Sequence, residues 1–190
     1  MFVICGLGNP GKRYIDTRHN IGFLFIDRII QKYKFEFFKK DKFKETYLGL
    51  INRKKIFLIK PLTYVNLSGV AIKNFLNYYK IPNEKLIVVH DDLDIALGKI
   101  KIKLGGGNGG HKGLVNIDSL IGNLYYRVRI GIGRPKNNEL INKFVLEKFN
   151  SKEKKLVDNL VNLSVNNLNL LISNKELFLS KIIPLIRENN

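Results

Sequence analysis

The sequence predicts an α/β protein, a single-domain three-layer α/β/α sandwich around a mixed, mostly parallel twisted sheet. Two observations predict this fold. Apolar segments of strand length alternate with segments of helical period, and one pair of strand-like segments is joined by a short polar turn. The chain has 190 residues, of which 45% are hydrophobic, and this length is typical of one domain. We therefore expect residues 1–190 to form a single domain.

Six segments have the pattern of β-strands. Some are continuous apolar runs, typical of strands buried on both faces, and others alternate apolar with polar residues, typical of one buried face. In chain order they are 2–5, 47–51, 56–59, 85–89, 99–104 and 126–132. The second and third flank a turn-like tetrapeptide and predict a hairpin, which Pro61 ends because proline cannot donate to a strand ladder.

Apolar residues at helical spacing predict the other elements. Asn20 is a candidate N-cap for the first helix, and Asn66 or Ser68 opens the second, because such side chains accept bonds from the free N–H groups at a helix start. A final helical segment is expected to end near Pro184. The predicted helices are 20–31, 66–79, 114–121 and a C-terminal series from 151 onward.

The chain is strongly basic, with 33 basic and 16 acidic residues and a formal net charge of +17. A positive potential of this size favours a polyanionic partner such as nucleic acid. A lysine-rich solvated surface is the alternative, and the position of the charges has to decide between the two.

Cysteine use and hydropathy predict the compartment. Cys5 is the single cysteine, which excludes a disulfide or a cysteine metal cluster within one chain and fits a reducing cytoplasm. No apolar stretch approaches the roughly 18 residues that span a membrane, and the first residues lack a cationic leader. We expect an unprocessed, monomeric, cytoplasmic protein with no membrane contact.

Reactive side chains concentrate in loops that follow predicted strands. In α/β sheets, sites form beyond the carboxyl ends of the strands, where loops and helix N-termini converge. All three histidines lie in or beside such loops. The loops are 6–11, 61–69, 90–92 and 105–113, and the histidines are His19, His90 and His111.

Two cofactor alternatives are weaker. The glycines of segment 6–11 match the spacing of a dinucleotide fingerprint, but there the helix begins within the glycine loop, whereas polar residues 12–19 intervene here. A metal hydrolase using His90, Asp91 and Asp94 is conceivable, but no His-x-His or His-Glu-x-x-His pair supports it. We expect neither a metal nor another cofactor.

His19 and Asp91 predict a general base and the carboxylate that orients it. His19 precedes the first predicted helix, whose N-terminus disfavours a cationic imidazole. Taken alone, His19 is better explained as a capping or surface residue, but Asp91 at a strand end can hold its other ring nitrogen. Without a serine elbow, and with Cys5 in an apolar run, water is the expected nucleophile. The amides of Asn9 and Asn66 can donate to an oxyanion.

Ordered sequence blocks across nearly the whole chain resemble the bacterial peptidyl-tRNA hydrolase family. They are segment 6–11 with Tyr14 and residues 17–20, and then 61–69, 90–94, 103–111, 129–133 and 144–146. Several blocks in the correct order are far more specific than a single motif. The resemblance implies hydrolysis of the ester between peptide and tRNA, which recycles tRNA from stalled or aborted translation.

The resemblance also implies residue roles. His19 would be the general base on water, Asp91 would steady its basic form, and Asn9 would help distinguish a blocked amino end from a free one. The remaining implied contacts are with the tRNA and the peptide backbone. They are assigned to Tyr14, Tyr64, Asn66, Lys101, Lys103, His111, Lys112 and Arg129.

The resemblance gives the basic residues on two predicted strands a specific role. By that likeness Lys101, Lys103 and Arg129 hold the terminal 5′ phosphate of the tRNA. Alternation along a strand places lysines on one face of the first strand and arginines on one face of the second. For Lys99 and Arg127 a solvated sheet edge stays an open alternative.

The sequence departs from the family pattern at two positions. Lys112 stands where the family usually has Asn, and Val65 where it usually has Met. Lysine cannot accept a hydrogen bond, although its charge could favour an oxyanion or phosphate, and Val65 predicts a smaller pocket wall. A non-catalytic RNA-binding protein on the same fold is the rival hypothesis. Lys112 favours this rival, whereas His19 and Asp91 argue against it.

Overall fold

The computed structural model describes residues 1–188, and in that part of the chain seven strands form one mixed sheet in the order β2-β3-β4-β1-β5-β7-β6. Parallel pairs occupy the centre of the sheet, and antiparallel pairs occupy its edges. The strands are β1 (Phe2–Gly6), β2 (Glu36–Lys40), β3 (Lys44–Ile51), β4 (Lys54–Pro61), β5 (Leu86–Asp92), β6 (Ile100–Leu104) and β7 (Tyr126–Gly131).

Helices cover both faces of the sheet, which confirms the predicted α/β sandwich. None of the helices in residues 1–188 combines the length and hydropathy that a bilayer crossing requires. The helices are α1 (Ile21–Tyr33), α2 (Ser68–Tyr79), α3 (Lys112–Ile121), α4 (Ile141–Leu146), α5 (Ser151–Asn166), α6 (Leu168–Ser173) and α7 (Lys175–Glu188).

The central strand β1 explains why its sequence is a continuous apolar run. Ile4 packs in the core that α1, α5 and α7 cover, whereas Val3 and Cys5 pack in the core under α2 and α3. Both faces of β1 are therefore removed from water. β1, β4, β5 and β7 run in the same direction. The loops that follow these strands therefore meet at the carboxyl-terminal end of the sheet.

The prediction that the second helix opens at Ser68 is confirmed, but neither predicted side-chain cap forms, and one predicted helix end is wrong. Asn20 directly precedes α1, but its side chain binds the backbone of Asn9 instead of capping the helix. A short 3-10 turn, Val65–Leu67, leads into α2, which begins at Ser68 without a side-chain cap. Pro184 lies inside α7, where buried Ile182 and Ile186 on either side hold the helix against the core.

The sequence patterns missed β2 and α4. Every residue of β2 is exposed, because this strand is the edge of the sheet and pairs only with β3. An exposed edge strand has no apolar periodicity to detect. Helix α4 has six residues, which is less than two turns of the helical period.

Arg127 is not part of a solvated edge, and that alternative is wrong. Its side chain on β7 is 2% exposed and donates to the Asp118 carboxylate of α3 at 2.7 Å and to the Gly107 carbonyl at 2.7 Å. The Tyr125 hydroxyl also donates to Asp118, at 2.8 Å. This buried ion pair fixes α3 and the glycine-rich loop before it against the sheet.

Removing the partner of Arg127 should destabilise the protein strongly. Asp118→Ala leaves a buried guanidinium without its carboxylate, and we expect the free energy of unfolding to fall by about 3 kcal/mol. Lys40→Ala removes half of the exposed Lys40–Glu45 pair and should cost less than about 1 kcal/mol. Urea denaturation of both variants measures the difference, and equal losses would contradict the role assigned to the buried pair.

Candidate active site

The Asp91 carboxylate at the end of β5 brings two histidines together. His19 lies on a 3-10 turn, Arg18–Asn20, and its Nδ1 is 2.9 Å from both Asp91 oxygens. His111 immediately precedes α3, and its Nε2 is 3.0 Å from Asp91 Oδ1. Asp91 is 3% exposed. Residues 72 and 20 positions away in sequence thus meet one buried carboxylate.

The hydrogen bonds determine which nitrogen carries each proton. His111 Nδ1 accepts from the backbone N–H groups of Gly113 at 3.1 Å and Leu114 at 3.4 Å, so this nitrogen has no proton. His111 Nε2 therefore donates to Asp91. His19 Nδ1 also donates to Asp91, because a carboxylate only accepts. This arrangement leaves the lone pair of His19 on Nε2, toward the cleft that His19 lines.

The charge state of His19 reflects a balance between burial and Asp91. Burial lowers the pKa of His19, but the charge and hydrogen bond of Asp91 outweigh it, so the pKa is raised above its ordinary value of 6.5. The nearby Lys112 ammonium lowers the pKa of His19 and partly offsets Asp91. We expected the helix N-terminus to help keep His19 neutral, but the pKa of His19 is raised because of Asp91.

Asp91 stays ionised despite its burial. Burial raises the pKa of its carboxyl, yet the charges and hydrogen bonds of His19 and His111 hold that pKa well below its ordinary range. A carboxylate that receives two imidazole hydrogen bonds in a buried site is a stable acceptor. The Asp91–His19 pair thus consists of a carboxylate that stays negatively charged and an imidazole that can take up a proton beside it.

His90 does not share in this proton exchange. It is 2% exposed, and its Nδ1 binds the Asp91 backbone carbonyl at 2.6 Å. Burial, followed by the charge of His111, lowers the pKa of His90 to about 3. His90 is therefore a neutral structural residue.

Of the three residues weighed for a metal, only Asp91 belongs to the group of ligand atoms that converges in the described part of the chain. Asp94 is exposed, and its carboxylate pairs with Arg134 at 2.6 Å. Among the described residues, Asp94 and His90 do not form a group of potential metal ligands. Instead, ligand atoms of His19, Asp91 and His111 lie within 4.8 Å of one another. The same atoms are hydrogen-bonded to each other, which is the geometry of a proton-transfer group and needs no cation.

Asn9 is held rigidly beside the histidine. Asn20 fixes its backbone from both sides, because Asn20 Oδ1 accepts from the Asn9 N–H at 2.8 Å and Nδ2 donates to the Asn9 carbonyl at 2.9 Å. The Asn9 side-chain oxygen accepts from the Val65 N–H at 2.9 Å, so its NH₂ group is left to donate. Val65 itself is buried beneath Gly113 and is not a pocket wall.

The other predicted loop contacts lie around Asn9. The rings of Tyr14 and Tyr64 meet edge to face with centroids 6.4 Å apart, and Tyr64 is 53% exposed. Asn66 is exposed on the 3-10 turn whose first residue, Val65, is bound by Asn9. The loop after β1 and the loop after β4 therefore present these polar side chains together.

A cleft of about 230 Å³ opens over His19 and His111. Lys112, the first residue of α3, lies in its wall. Asn142 and Val145 of α4 also line the cleft. Sequence reasoning missed these two residues, because α4 is too short to give a periodic signal and carries no histidine or acid.

Lys101 and Lys103 of β6 and Arg129 of β7 form one basic surface, whereas Arg127 is buried. Lys101 is paired with Arg129 and Lys103 with Arg127 in the antiparallel register, so the four side chains share a face. Lys101 and Lys103 are exposed. Arg129 Nε donates to Asp92 at 2.7 Å, and Asp92 directly follows Asp91. The surface is thereby tied to the strand that carries the site.

Gly6 and Gly8 of segment 6–11 serve chain packing. A Cβ on Gly6 would lie 2.1 Å from the Gly22 carbonyl oxygen, and one on Gly8 would lie 2.9 Å from the Phe23 ring. Two 3-10 turns separate this loop from α1. The helix N-terminus is therefore not placed in the glycine loop as a dinucleotide fingerprint requires.

Comparisons with known proteins agree with the ordered blocks. The family described as peptidyl-tRNA hydrolase matches residues 3–184. A peptidyl-tRNA hydrolase of Rickettsia bellii is 47% identical over 96% of this chain and 100% of its own length, and one of Rickettsia prowazekii is 49% identical over 92% and 95%. A crystal structure of peptidyl-tRNA hydrolase from Acinetobacter baumannii superposes with a TM-score of 0.88 and 38% identity, covering 92% of this chain and 90% of that one.

The opposing influences on His19 can be separated by titration. In the unaltered protein we expect the pKa of His19, followed by NMR of its ring protons, to lie above 6.5. Asp91→Asn removes the influence that raises the pKa, while burial and Lys112 remain, so the pKa should fall below 6.5. His90 should show no titration near neutral pH in either protein. An unchanged His19 pKa in the variant would contradict the assigned role of Asp91.

Proposed function

Because the chain belongs to the peptidyl-tRNA hydrolase family, which hydrolyses the ester linking peptide to tRNA, we propose that His19 activates water for this reaction. The observation that carries the proposal is the 2.9 Å contact of His19 Nδ1 with both oxygens of Asp91. It leaves Nε2 as the basic atom on the cleft. A non-catalytic RNA-binding protein on the same fold is not supported.

In the proposed reaction His19 Nε2 takes a proton from water as the water oxygen bonds to the ester carbonyl carbon. The bond between this carbon and the terminal ribose oxygen then breaks, and the imidazolium returns its proton to that oxygen. The products are the free peptide acid and tRNA with its terminal hydroxyl. No covalent enzyme intermediate is required, which agrees with the burial of Cys5.

Asp91 stabilises the imidazolium that forms during attack, because its negative charge is 2.9 Å from the ring. His111 was expected to contact substrate, yet both of its ring nitrogens are used within the protein. We assign it a positioning role. Its Nε2 proton binds Asp91 Oδ1, and its Nδ1 fixes it to the start of α3.

The developing oxyanion is stabilised by donors around the cleft. The Asn9 NH₂ group is free to donate because the side-chain oxygen is bound to Val65. The Lys112 ammonium is close enough to lower the pKa of His19, and in place of the family's usual Asn it supplies a positive charge. Asn66, Tyr14 and Tyr64 contact the tRNA end or the peptide backbone.

The tRNA lies along the basic face of β6 and β7, where Lys101, Lys103 and Arg129 hold its 5′ phosphate. Their shared face and the exposure of both lysines support this role. The protein acts as a cytoplasmic monomer without a metal or another cofactor.

His19→Ala should abolish most of the activity without weakening substrate binding. Loss of a general base lowers the rate by about 10²- to 10⁴-fold, so kcat for peptidyl-tRNA should fall by that factor while Kd for tRNA is unchanged. Single-turnover hydrolysis and filter binding measure the two quantities. A folded variant with near-normal kcat would refute the role of His19.

Two conditions in the same assay complete that test. The rate for the unaltered protein should rise with pH through the raised pKa of His19, because only the neutral imidazole accepts a proton. Addition of a chelator should leave the rate unchanged. A rate lost on chelation and restored by a divalent metal would instead support a metal site at His19, Asp91 and His111.

Lys103→Ala should weaken tRNA binding through the loss of one phosphate contact. We expect a higher KM with nearly unchanged kcat, and a salt dependence of log Kd that is shallower by about one unit of slope. Lys55→Ala, which removes an exposed lysine near the opposite end of the sheet on β4, is the matched control. Equal effects of the two substitutions, or an undiminished effect on tRNA lacking a 5′ phosphate, would contradict the specific contact.

A further inference from the structure

A groove of about 320 Å³ lies at the β2 edge of the sheet, and β6 forms the opposite edge. The groove runs between the β2–β3 hairpin and the second half of α2. None of the described residues that line it takes part in the proposed reaction or in the proposed tRNA contacts. Whatever this groove binds is therefore separate from the site at His19.

Aromatic side chains form most of the apolar surface of the groove. Buried Phe57 of β4 contacts the rings of Phe75 and Tyr79 on α2, at centroid distances of 5.0 Å and 5.1 Å. The Phe38 ring of β2 also meets Phe57, at 5.5 Å. Two of the rings that line the groove remain in water, since Phe38 is 42% exposed and Tyr78 is 79% exposed. Large apolar side chains clustered at a surface are typical of an interaction site.

The edge strand β2 offers its backbone beside this groove. In the described part of the chain β2 pairs only with β3, so the N–H and C=O groups on its outer side have no strand partner. The register with β3 shifts between Phe37 and Lys39. This bulge lets Phe38 and Lys39, which are neighbours in sequence, both line the groove. The open strand edge and the aromatic groove are thus contiguous.

The charges of the groove favour a negatively charged occupant. The buried Lys44 ammonium binds the Asp41 carboxylate at 2.7 Å, and this pair is neutral. Asp41 is the one acid among the described residues that line the groove. Lys39 and Lys42 also line it, and both are exposed without an ion pair to any described residue. The groove therefore presents two positive charges that carboxylates of a ligand can meet.

Charge and chemistry narrow the choice of occupant. A second copy of this chain would bring together two lysine-bearing edges of proteins that each carry a net charge of +17. RNA is negatively charged, but it has no peptide groups to pair with the edge of β2. An acidic peptide supplies backbone for the strand edge, an apolar side chain for the rings and carboxylates for the lysines.

We propose that this groove and the edge of β2 bind an extended, acidic segment of a partner protein. The segment adds as a strand beside β2 and inserts an aromatic or large aliphatic side chain among the rings, while its carboxylates meet Lys39 and Lys42. The groove and the cleft over His19 share no lining residue in the described part of the chain. Binding at this edge therefore leaves the candidate active site open.

A synthetic peptide provides the first test. The chain has no tryptophan, so a heptapeptide with tryptophan at its centre and glutamate and threonine on both sides reports its own insertion by a blue shift of its fluorescence. Lys42→Glu and Tyr78→Ser each change an exposed side chain. We expect each to raise the Kd of the peptide about fivefold, and added salt to raise the Kd of the unaltered protein.

Lys155→Glu is the matched control, because it makes the same charge change at an exposed position of α5, on the other face of the sheet. It should leave the Kd unchanged, and CD spectra establish that all the variants are folded. Failure of the peptide to bind, or equal Kd values for Lys42→Glu, Tyr78→Ser and the unaltered protein, would overturn the proposal. Tighter binding of oligouridylate that Tyr78→Ser abolishes, or a dimer that it dissociates, would identify another occupant and overturn it as well.

Backbone pairing provides an independent test. Proline cannot donate to a strand ladder, so the same peptide with proline on both sides of its tryptophan should bind about tenfold more weakly. Amide hydrogen exchange in residues 36–40 should slow when the original peptide is bound. Equal affinity of the two peptides, with no slowing of exchange in β2, would overturn the strand addition.

Discussion

The buried negative charge of Asp91 is the constraint on which the arrangement of the site depends. An unpaired carboxylate in this position would cost several kcal/mol, so the fold must supply partners for it. His19 and His111 provide them, at 2.9 Å and 3.0 Å. This requirement joins the carboxyl end of β5, the turn before α1 and the start of α3. The contacts that stabilise the fold here are also the contacts that orient His19.

The Asp91 carboxylate has two opposing effects on proton uptake by His19, and neighbouring groups reduce both. A stronger base takes a proton more readily, but it is also protonated more of the time near neutral pH. Asp91 raises the pKa of His19, whereas burial and Lys112 lower it. Lys112 stands where the related family usually has Asn. Its charge therefore reduces the basicity of His19.

The site lies between two unlike surfaces of the sheet. The four central parallel strands bring their loops to one edge. Cationic side chains are concentrated on β6, on one side of the site. Ion-paired side chains and apolar residues lie beside β3 and β4, on the other side. The net charge of the chain gives no hint of this division, because a total does not report where charges are placed.

The sequence by itself determined the α/β class, most strands and helices, and His19, Asp91 and Asn9 as candidates. Apolar periodicity and loop chemistry are local properties of the chain, so they can be read in order. Tertiary structure decided what local patterns cannot specify, namely which distant side chains meet. Asn20 looked like a helix cap and instead holds Asn9, while Arg127 looked solvated and is buried against Asp118. Partners of this kind depend on the register and packing of elements remote in sequence.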